Sequence, residues 1–302
     1  MTQPPRLFDR DLQRLRLARA APRYEDFLNA RAADDLVQRL TVINRRFDTA
    51  VDLGARTGAF ARALALSEAT DRVGWLAQAD LSEAMLGWTT GPRLVADEAR
   101  LPLAAESADL VVSSLSLHGV DDLVGALIQI RRALRPDGLF LGALLGGATL
   151  TELRQCLTEA ELGETGGAGP RISPFLDAFD GAALLQRAGF ALPVADVDTV
   201  NVLYDHPLKL MADLRAMGET NVLFDRPRAA LTRRVLKRVS ELYFERFAVA
   251  DGRIRATFEI ITLTGWAPHP GQQQPLRPGS AKMRLADALS GVERDAGEAA
   301  GR

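Results

Sequence analysis

Four acidic side chains in the first half of the chain stand where they could hold a nucleoside: Asp52, Asp80, Asp97 and Glu98. Asp52 closes the apolar stretch "TAVDL" and opens "GARTG", in which Gly54 and Gly58 flank a turn. Glycines there allow close backbone approach and tight packing of a following helix. Asp80 closes "VGWLAQAD", the place for a carboxylate that accepts from both ribose hydroxyls, with Leu81 next to it. Asp97 and Glu98 close "RLVAD", where a side chain can meet an adenine amino group. Ser113, in the next apolar run, completes this set. A glycine turn alone is a weak signal, since any tight strand-to-helix turn can use two glycines. Acids at two further strand ends make that bland reading harder to hold.

Further along, His118 follows "SSLSL". Imidazole there is suited to general-base work near neutral pH; the competing account is a loop histidine that holds a turn. "GETN", residues 218–221, carries Glu219 and Asn221. A carboxylate there could pair bidentately with a guanidinium, or Thr220 and Asn221 could simply cap a helix. Gly146 and Gly147 follow a fifth apolar run and would let a substrate chain come close, or form an ordinary turn. His118, His206 and His269 are the only histidines. No H-x-D with a distant His resembles a facial iron triad, so no metal site is expected.

These residues need a scaffold that brings successive strand ends to one edge. Residues 8–48 read as helical, with apolar residues at spacings of three to four and Pro22 separating two helices. From Thr49 strands and helices alternate, which implies a mainly parallel sheet with right-handed crossovers. "TAVDL", "VGWLAQAD", "RLVAD", "ADLVVSSLSL" and "LFLGALL" are the strands; "GAFARALALS", "SEAMLGW" with Ser82 as N-cap, and "LVGALIQIRRAL" are the helices; "RPDG" is a turn. After Gly146 come a helix over "TLTELRQCLTEAEL", a Gly/Pro-rich loop, a short helix, and the strand "ALPVADVDTVNVLY". Two helices joined by "GETNVLFDRP" and a last strand "ATFEIITLTGWA" follow. Ligands of such sheets bind outside the carboxyl ends of the strands.

A dinucleotide fold is the rival structure, but "GARTG" is not G-x-G-x-x-G. The acid pattern suits one adenosine carrying an amino-acid arm, S-adenosyl-L-methionine. Arg56 then stands in the middle of the turn, where glycine is usual. It must keep a negative φ or carry strain of about 1–3 kcal/mol. Its guanidinium is expected to turn away from the cleft or to pair with an acid at its rim.

Composition narrows the class. The chain has 302 residues, 47% of them hydrophobic, enough for a substantial core, and a net charge of −2 gives no basic field for nucleic acid. The single cysteine, Cys156, excludes an internal disulfide and fits a reducing compartment. The N-terminus has no apolar h-region, and no apolar run is long enough to span a bilayer. A cytoplasmic protein is expected. "RRVLKR", residues 233–238, reads as a solvated helix face, with a docking surface for an acidic protein as its alternative.

The stretches "VDLGARTG", "AQADLSEAML", "VADEARLPLAAESADLVVSSLSLHGVDDL" and "IRRALRPDGLFLGALLGG" resemble class I S-adenosylmethionine-dependent methyltransferases, in the branch related to the malonyl-carrier O-methyltransferase of biotin synthesis. A resemblance to the complex I assembly factor 5 family of mitochondria and its bacterial relatives runs further. It rests on "FDR", "SSLSLH", "LRPDGLFLGALLGGATLTELR", "ISPF", "LLQRAGF", "DLRAMGETN", "GWAPHP" and "GSAKM". Two departures from that pattern are Arg56 in the glycine loop and Gly119, where tryptophan is common.

The resemblance implies a Rossmann-like class I methyltransferase fold: a seven-stranded sheet, six strands parallel and one antiparallel. The expected division is an N-terminal helical segment (1–48), the cofactor domain (49–267) with a helical cap inserted at about 206–250, and a partly disordered tail (268–302). It further implies an S-adenosylmethionine-dependent enzyme acting on a protein substrate in respiratory complex I assembly. An arginine hydroxylase of a complex I core subunit, or a non-catalytic chaperone with a degenerate pocket, are the alternatives. Such a protein would lie in the cytoplasm, with peripheral attachment at the inner membrane face through complex I subunits.

Overall fold

The computed structural model describes residues 6–272. Most of the expected tail, from residue 273 on, lies outside the described residues. Seven strands form one sheet in the order β3-β2-β1-β4-β5-β7-β6. They are β1 (Phe47–Leu53), β2 (Val73–Asp80), β3 (Arg93–Val95), β4 (Ala108–Ser114), β5 (Leu134–Leu145), β6 (Ala191–Tyr204) and β7 (Ile254–Trp266). All pairings are parallel except those of β7, which runs antiparallel to both β5 and β6. Six strands thus share one direction, as the resemblance implied.

The central strands are buried on both faces and therefore read as nearly continuous apolar runs. β6 lies at the edge and is more exposed, with Asp196 and Asp198 paired to Arg39 and Arg31. Helices cover both faces. α2 (Phe27–Val42), α3 (Ala59–Ala65), α6 (Thr151–Thr165), α8 (Pro207–Ala216) and α9 (Arg233–Phe247) share one apolar core around Leu36, Leu40, Phe47, Phe60, Tyr243 and Phe258. α5 (Leu123–Ala133) and α7 (Gly181–Arg187) share the other, around Leu127, Ile130, Phe140 and Leu185.

Helix starts follow local chemistry. Asp9 caps α1 (Arg10–Ala20) by accepting from Leu12 N–H at 3.0 Å, and Asp122 caps α5 by accepting from Gly125 N–H at 2.8 Å. His206 Nδ1 accepts from Leu208 N–H at 3.1 Å, so this histidine caps α8 in front of Pro207. Ser82 precedes α4 (Glu83–Leu86) but makes no side-chain cap bond, contrary to expectation; its Oγ is buried without a partner.

Three boundaries differ from the sequence reading in ways that shape the site. β5 starts at Leu134 and absorbs "RPDG", because Asp137 adopts a left-handed φ of 63° and the β4–β5 register shifts between Ala108 and Leu110. β3 is only three residues long. β4 ends at Ser114, since Leu115 takes a φ of 53°. His118 therefore sits on a short 3-10 turn, Leu117–Gly119, beyond the strand.

α1 lies across this edge of the sheet. Its Leu17 and Ala20, with Ala21, bury themselves against Leu81 and Met85. Residues 269–272 belong to a separate unit and form a turn in which Gly271 N–H donates to His269 Nδ1 at 3.0 Å.

Candidate functional site

The loop after β1 is tied down before any side chain acts. Gly54 and Ala55 N–H groups both donate to Ala79 O, at 2.8 and 3.0 Å, anchoring the turn to β2. Gly54 and Gly58 hold φ of 71° and 84°, a region where glycine carries no Cβ penalty. The space they free is used by the chain itself. A Cβ on Gly54 would meet Ser116 Cβ at 2.1 Å, and one on Gly58 would meet Gln78 Oε1 at 2.8 Å.

Arg56 corrects the sequence expectation on one count. Its φ is +51°, the strained branch of that expectation. Its guanidinium neither leaves the cleft nor stops at the rim, being 2% exposed. Arg56 N–H donates to Asp80 Oδ2 at 2.9 Å, and Nη1 donates to the same oxygen at 3.0 Å. Nη2 reaches Leu115 O at 3.4 Å and lies 4.0 Å from Glu219 Oε1. Burial works against this cation, but Asp80, Tyr24, Glu219 and Glu98 hold it above the ordinary arginine value. Asp80 Oδ1 accepts from Ser82 N–H at 2.8 Å, so both carboxylate oxygens have partners.

The acids after β3 are treated alike. Arg10, at the start of α1, donates to Asp97 Oδ1 at 2.6 Å and to Glu98 Oε2. It also donates to Gly119 O at 3.1 Å and Gln13 Oε1 at 2.8 Å. Ser113 and Ser116 share a buried hydroxyl–hydroxyl bond of 2.9 Å. Asp52 is different: both its carboxylate oxygens are buried with no hydrogen-bond partner among the described residues. Burial first, then repulsion by Asp80, pushes its pKa up to about 8, with Arg56 opposing. The predicted cofactor residues are thus gathered at one sheet edge, in a cleft that the chain's own arginines and α1 fill.

Beside that cleft lies a cavity of about 210 Å³. Its walls are apolar, among them Leu145, Leu150, Leu153, Phe175, Met217 and Phe258. His118 and Glu219 line it too, and both also face the small space next to Tyr24, Asn29 and Leu115. His118 Nε2 is 3.3 Å from Glu219 Oε2, and its ring meets Phe175 edge-on at 5.9 Å. Burial drives the Glu219 carboxyl up, but His118, its hydrogen bond and Arg56 together leave it below the usual carboxylate range.

Three other candidates turn out to stitch the chain. Asn221 Nδ2 donates to Pro170 O at 2.7 Å, and its Oδ1 accepts from Leu223 N–H at 2.9 Å. A Cβ on Gly146 would meet Glu259 Oε1 at 2.2 Å, so the close approach there is to β7. Gly147 N–H donates to Leu176 O at 2.9 Å. Arg10, Tyr24 and Phe175 escaped sequence reasoning. Arg10 falls inside "FDR", but nothing in its spacing points to acids 87 and 88 positions away. Among the described residues, no group of three or more His, Cys, Asp or Glu side chains is placed to hold a metal ion, and no helix is long and apolar enough to cross a membrane.

Comparisons with known proteins agree with this architecture. Residues 51–142 match the family described as "Methyltransferase domain". The human arginine-hydroxylase NDUFAF5, mitochondrial, is 39% identical over 93% of this chain and 83% of its own length. A malonyl-[acyl-carrier protein] O-methyltransferase of Methylovorus is 32% identical over 97% of both chains. The crystal structure of a putative methyltransferase from Bacillus halodurans superposes with a TM-score of 0.53 at 14% identity, covering 78% of this chain and 99% of that one, which shows a shared fold. The chain is a methyltransferase-fold protein of the class I superfamily and belongs to the family of the arginine-hydroxylases NDUFAF5.

Proposed function

We propose that the chain is a protein-modifying enzyme that receives an arginine side chain of a respiratory complex I subunit in the apolar cavity, with Glu219 as its guanidinium acceptor. The observation that carries this reading is the Glu219–His118 pair set into apolar walls. An arginine has an aliphatic stem suited to such walls and a planar cationic tip suited to a carboxylate. Glu219 stays ionised there because His118 and Arg56 offset its burial. His118 orients the carboxylate, and Phe175 packs on the imidazole. The relatives named arginine-hydroxylases support arginine as the target. With such a partner the protein would work in the cytoplasm, at the inner membrane face.

S-adenosylmethionine is the cofactor that the fold implies, and Asp80, Asp97 and Glu98 lie at the strand ends its ribose and adenine require. As the cleft stands, the side chains do not fit it. Arg56 and Ser82 N–H saturate Asp80, Arg10 holds Asp97 and Glu98, and Ser116 fills the space over Gly54. Binding requires Arg56 to leave Asp80. Breaking a buried ion pair costs about 3–5 kcal/mol, or roughly two to four decades of affinity. The same closed cleft favours a second reading, a non-catalytic assembly chaperone with a degenerate pocket.

The test is mass spectrometry of complex I subunits from cells with and without the gene, and from cells carrying Glu219→Gln. An arginine heavier by one oxygen or by one methylene, lost in both altered strains, supports the enzyme. Unmodified subunits in all strains, with complex I depleted in the deletion, select the chaperone.

A further inference from the structure

The cavity opens beside a cleft of about 770 Å³, and the two share Met211, Arg215, Thr220, Asn221 and Leu231. Five arginines line that outer cleft: Arg16, Arg171, Arg215, Arg226 and Arg228. Among the described residues, no Asp or Glu lines it. Arg171 is held by Glu161 at 2.5 Å and Arg226 by Asp9 at 3.3 Å. Among the described residues, the Arg16 guanidinium makes its hydrogen bond to the Thr220 hydroxyl, at 2.6 Å, and none to an acid. Burial and the neighbouring Arg226 lower its pKa and Asp9 offsets them only in part, so its charge is incompletely matched. Arg215 and Arg228 are exposed and show no acidic partner among the described residues. The path from solvent to Glu219 therefore runs from cationic mouth, through apolar walls, to anionic end.

That gradient constrains what can enter. A basic side chain alone is repelled at the mouth before it reaches Glu219. A purely anionic ligand matches the mouth but meets Glu219 at the far end. A segment that carries both signs, a cationic tip between carboxylates, matches all three zones. We propose that the site accepts an arginine only from an acidic stretch of polypeptide: the side chain enters towards Glu219 while neighbouring Asp or Glu residues pair with Arg16, Arg215 and Arg228. This rests on the arginine reading above and adds the sequence context that selects the substrate. Arginine–carboxylate bonds of this kind are charge-assisted and directional, and opposite charges at the mouth also speed encounter.

The experiment is calorimetry of the full chain with four synthetic peptides: a central arginine flanked by Asp and Glu, by Gln, or by Lys, and the acidic peptide with citrulline at its centre. The acid-flanked arginine peptide should bind about tenfold or more tighter than the Gln-flanked one. The Lys-flanked peptide should be weakest, and the acid advantage should shrink with added salt. The double variant Arg215→Glu with Arg228→Glu alters exposed side chains only, so it should stay folded, and it should rank the Lys-flanked peptide above the acid-flanked one. Affinity independent of flanking charge, or an unchanged ranking in the double variant, overturns the proposal. Equal binding of the citrulline and arginine peptides overturns instead the arginine reading on which it rests.

Discussion

Arg56 donates to one oxygen of Asp80 twice, through its backbone N–H at 2.9 Å and its guanidinium at 3.0 Å. A residue from the loop after β1 thereby occupies the carboxylate at the end of β2. The pair is fully enclosed, with Asp80 0% and Arg56 2% exposed, and it is made from a left-handed backbone position that favours glycine. Arg56→Gly is expected to do two opposite things. It leaves Asp80 buried without its counter-charge, which costs about 3–5 kcal/mol. Relief of the left-handed strain returns about 1 kcal/mol. The variant should melt earlier than the parent but gain affinity for S-adenosylmethionine, so that added cofactor raises its melting temperature more than it raises the parent's. Calorimetry and thermal melts with and without cofactor decide it; tighter cofactor binding by the parent sinks the idea that Arg56 competes for Asp80.

Asp52 offers a pH signature. Its pKa is pushed up to about 8 by burial and by Asp80, against about 3.9 for a free aspartate. The folded state thus holds a proton that the unfolded state releases. The corresponding stability is fully present below about pH 4 and is lost as pH rises through about 8. Stability contributed by this residue should therefore fall between about pH 5 and pH 8, by an amount on the order of a few kcal/mol. Asp52→Asn, which stays neutral, should flatten that slope in urea titrations run across the range. An identical slope in the variant would assign the pH dependence elsewhere.

How far the sequence foretold this molecule depends on the range over which each feature is encoded. "VGWLAQAD" and "ALPVADVDTVNVLY" match β2 and β6 residue for residue, because an apolar or alternating run bounded by turn residues is a local signal. The three acid-bearing strand ends were readable for the same reason. Pairings were not. His118 and Glu219 each stood out by residue type, yet 101 positions separate them and no periodicity links them. The antiparallel β7 came through family resemblance, since element order alone leaves strand direction open. Asn221 and Gly146 looked like substrate contacts because amide and glycine chemistry is generic; packing gave them to Pro170 and Glu259. The type of Arg56 stands out in the turn, but its backbone angle depends on Asp80, which accepts from its N–H.

Arg10 is the tie between α1 and the acids after β3. It faces Asp97 and Glu98 together, and Glu98 is 3% exposed. Arg10→Gln should leave Glu98 buried without its cation and loosen the helix that covers the cleft. Amide exchange along α1 is expected to accelerate by about tenfold or more, while exchange in β4 and β5 stays as in the parent. Unaltered protection of α1 would show that the apolar contacts of Leu17 and Ala20 hold it without the arginine.

Glu219 and Asn221 stand two residues apart in one loop and are expected to fail in different ways. Among the described residues the Glu219 carboxylate accepts from no backbone group, and its one side-chain hydrogen bond is to the His118 ring, beside the cavity. Removing its charge with Glu219→Gln should leave the fold nearly as stable but weaken an arginine-containing peptide by about ten- to a hundredfold, the value of a hydrogen bond to a charged group. Asn221 does the reverse work: it bridges Pro170 O and Leu223 N–H and so ties the loop before α9 to the segment after α6. Asn221→Ala should cost about 1–2 kcal/mol in urea unfolding, with peptide affinity altered less than in Glu219→Gln. Because both variants are read by the same two measurements, a reversed pattern would move the guanidinium acceptor from Glu219 to Asn221 and with it the mouth of the site.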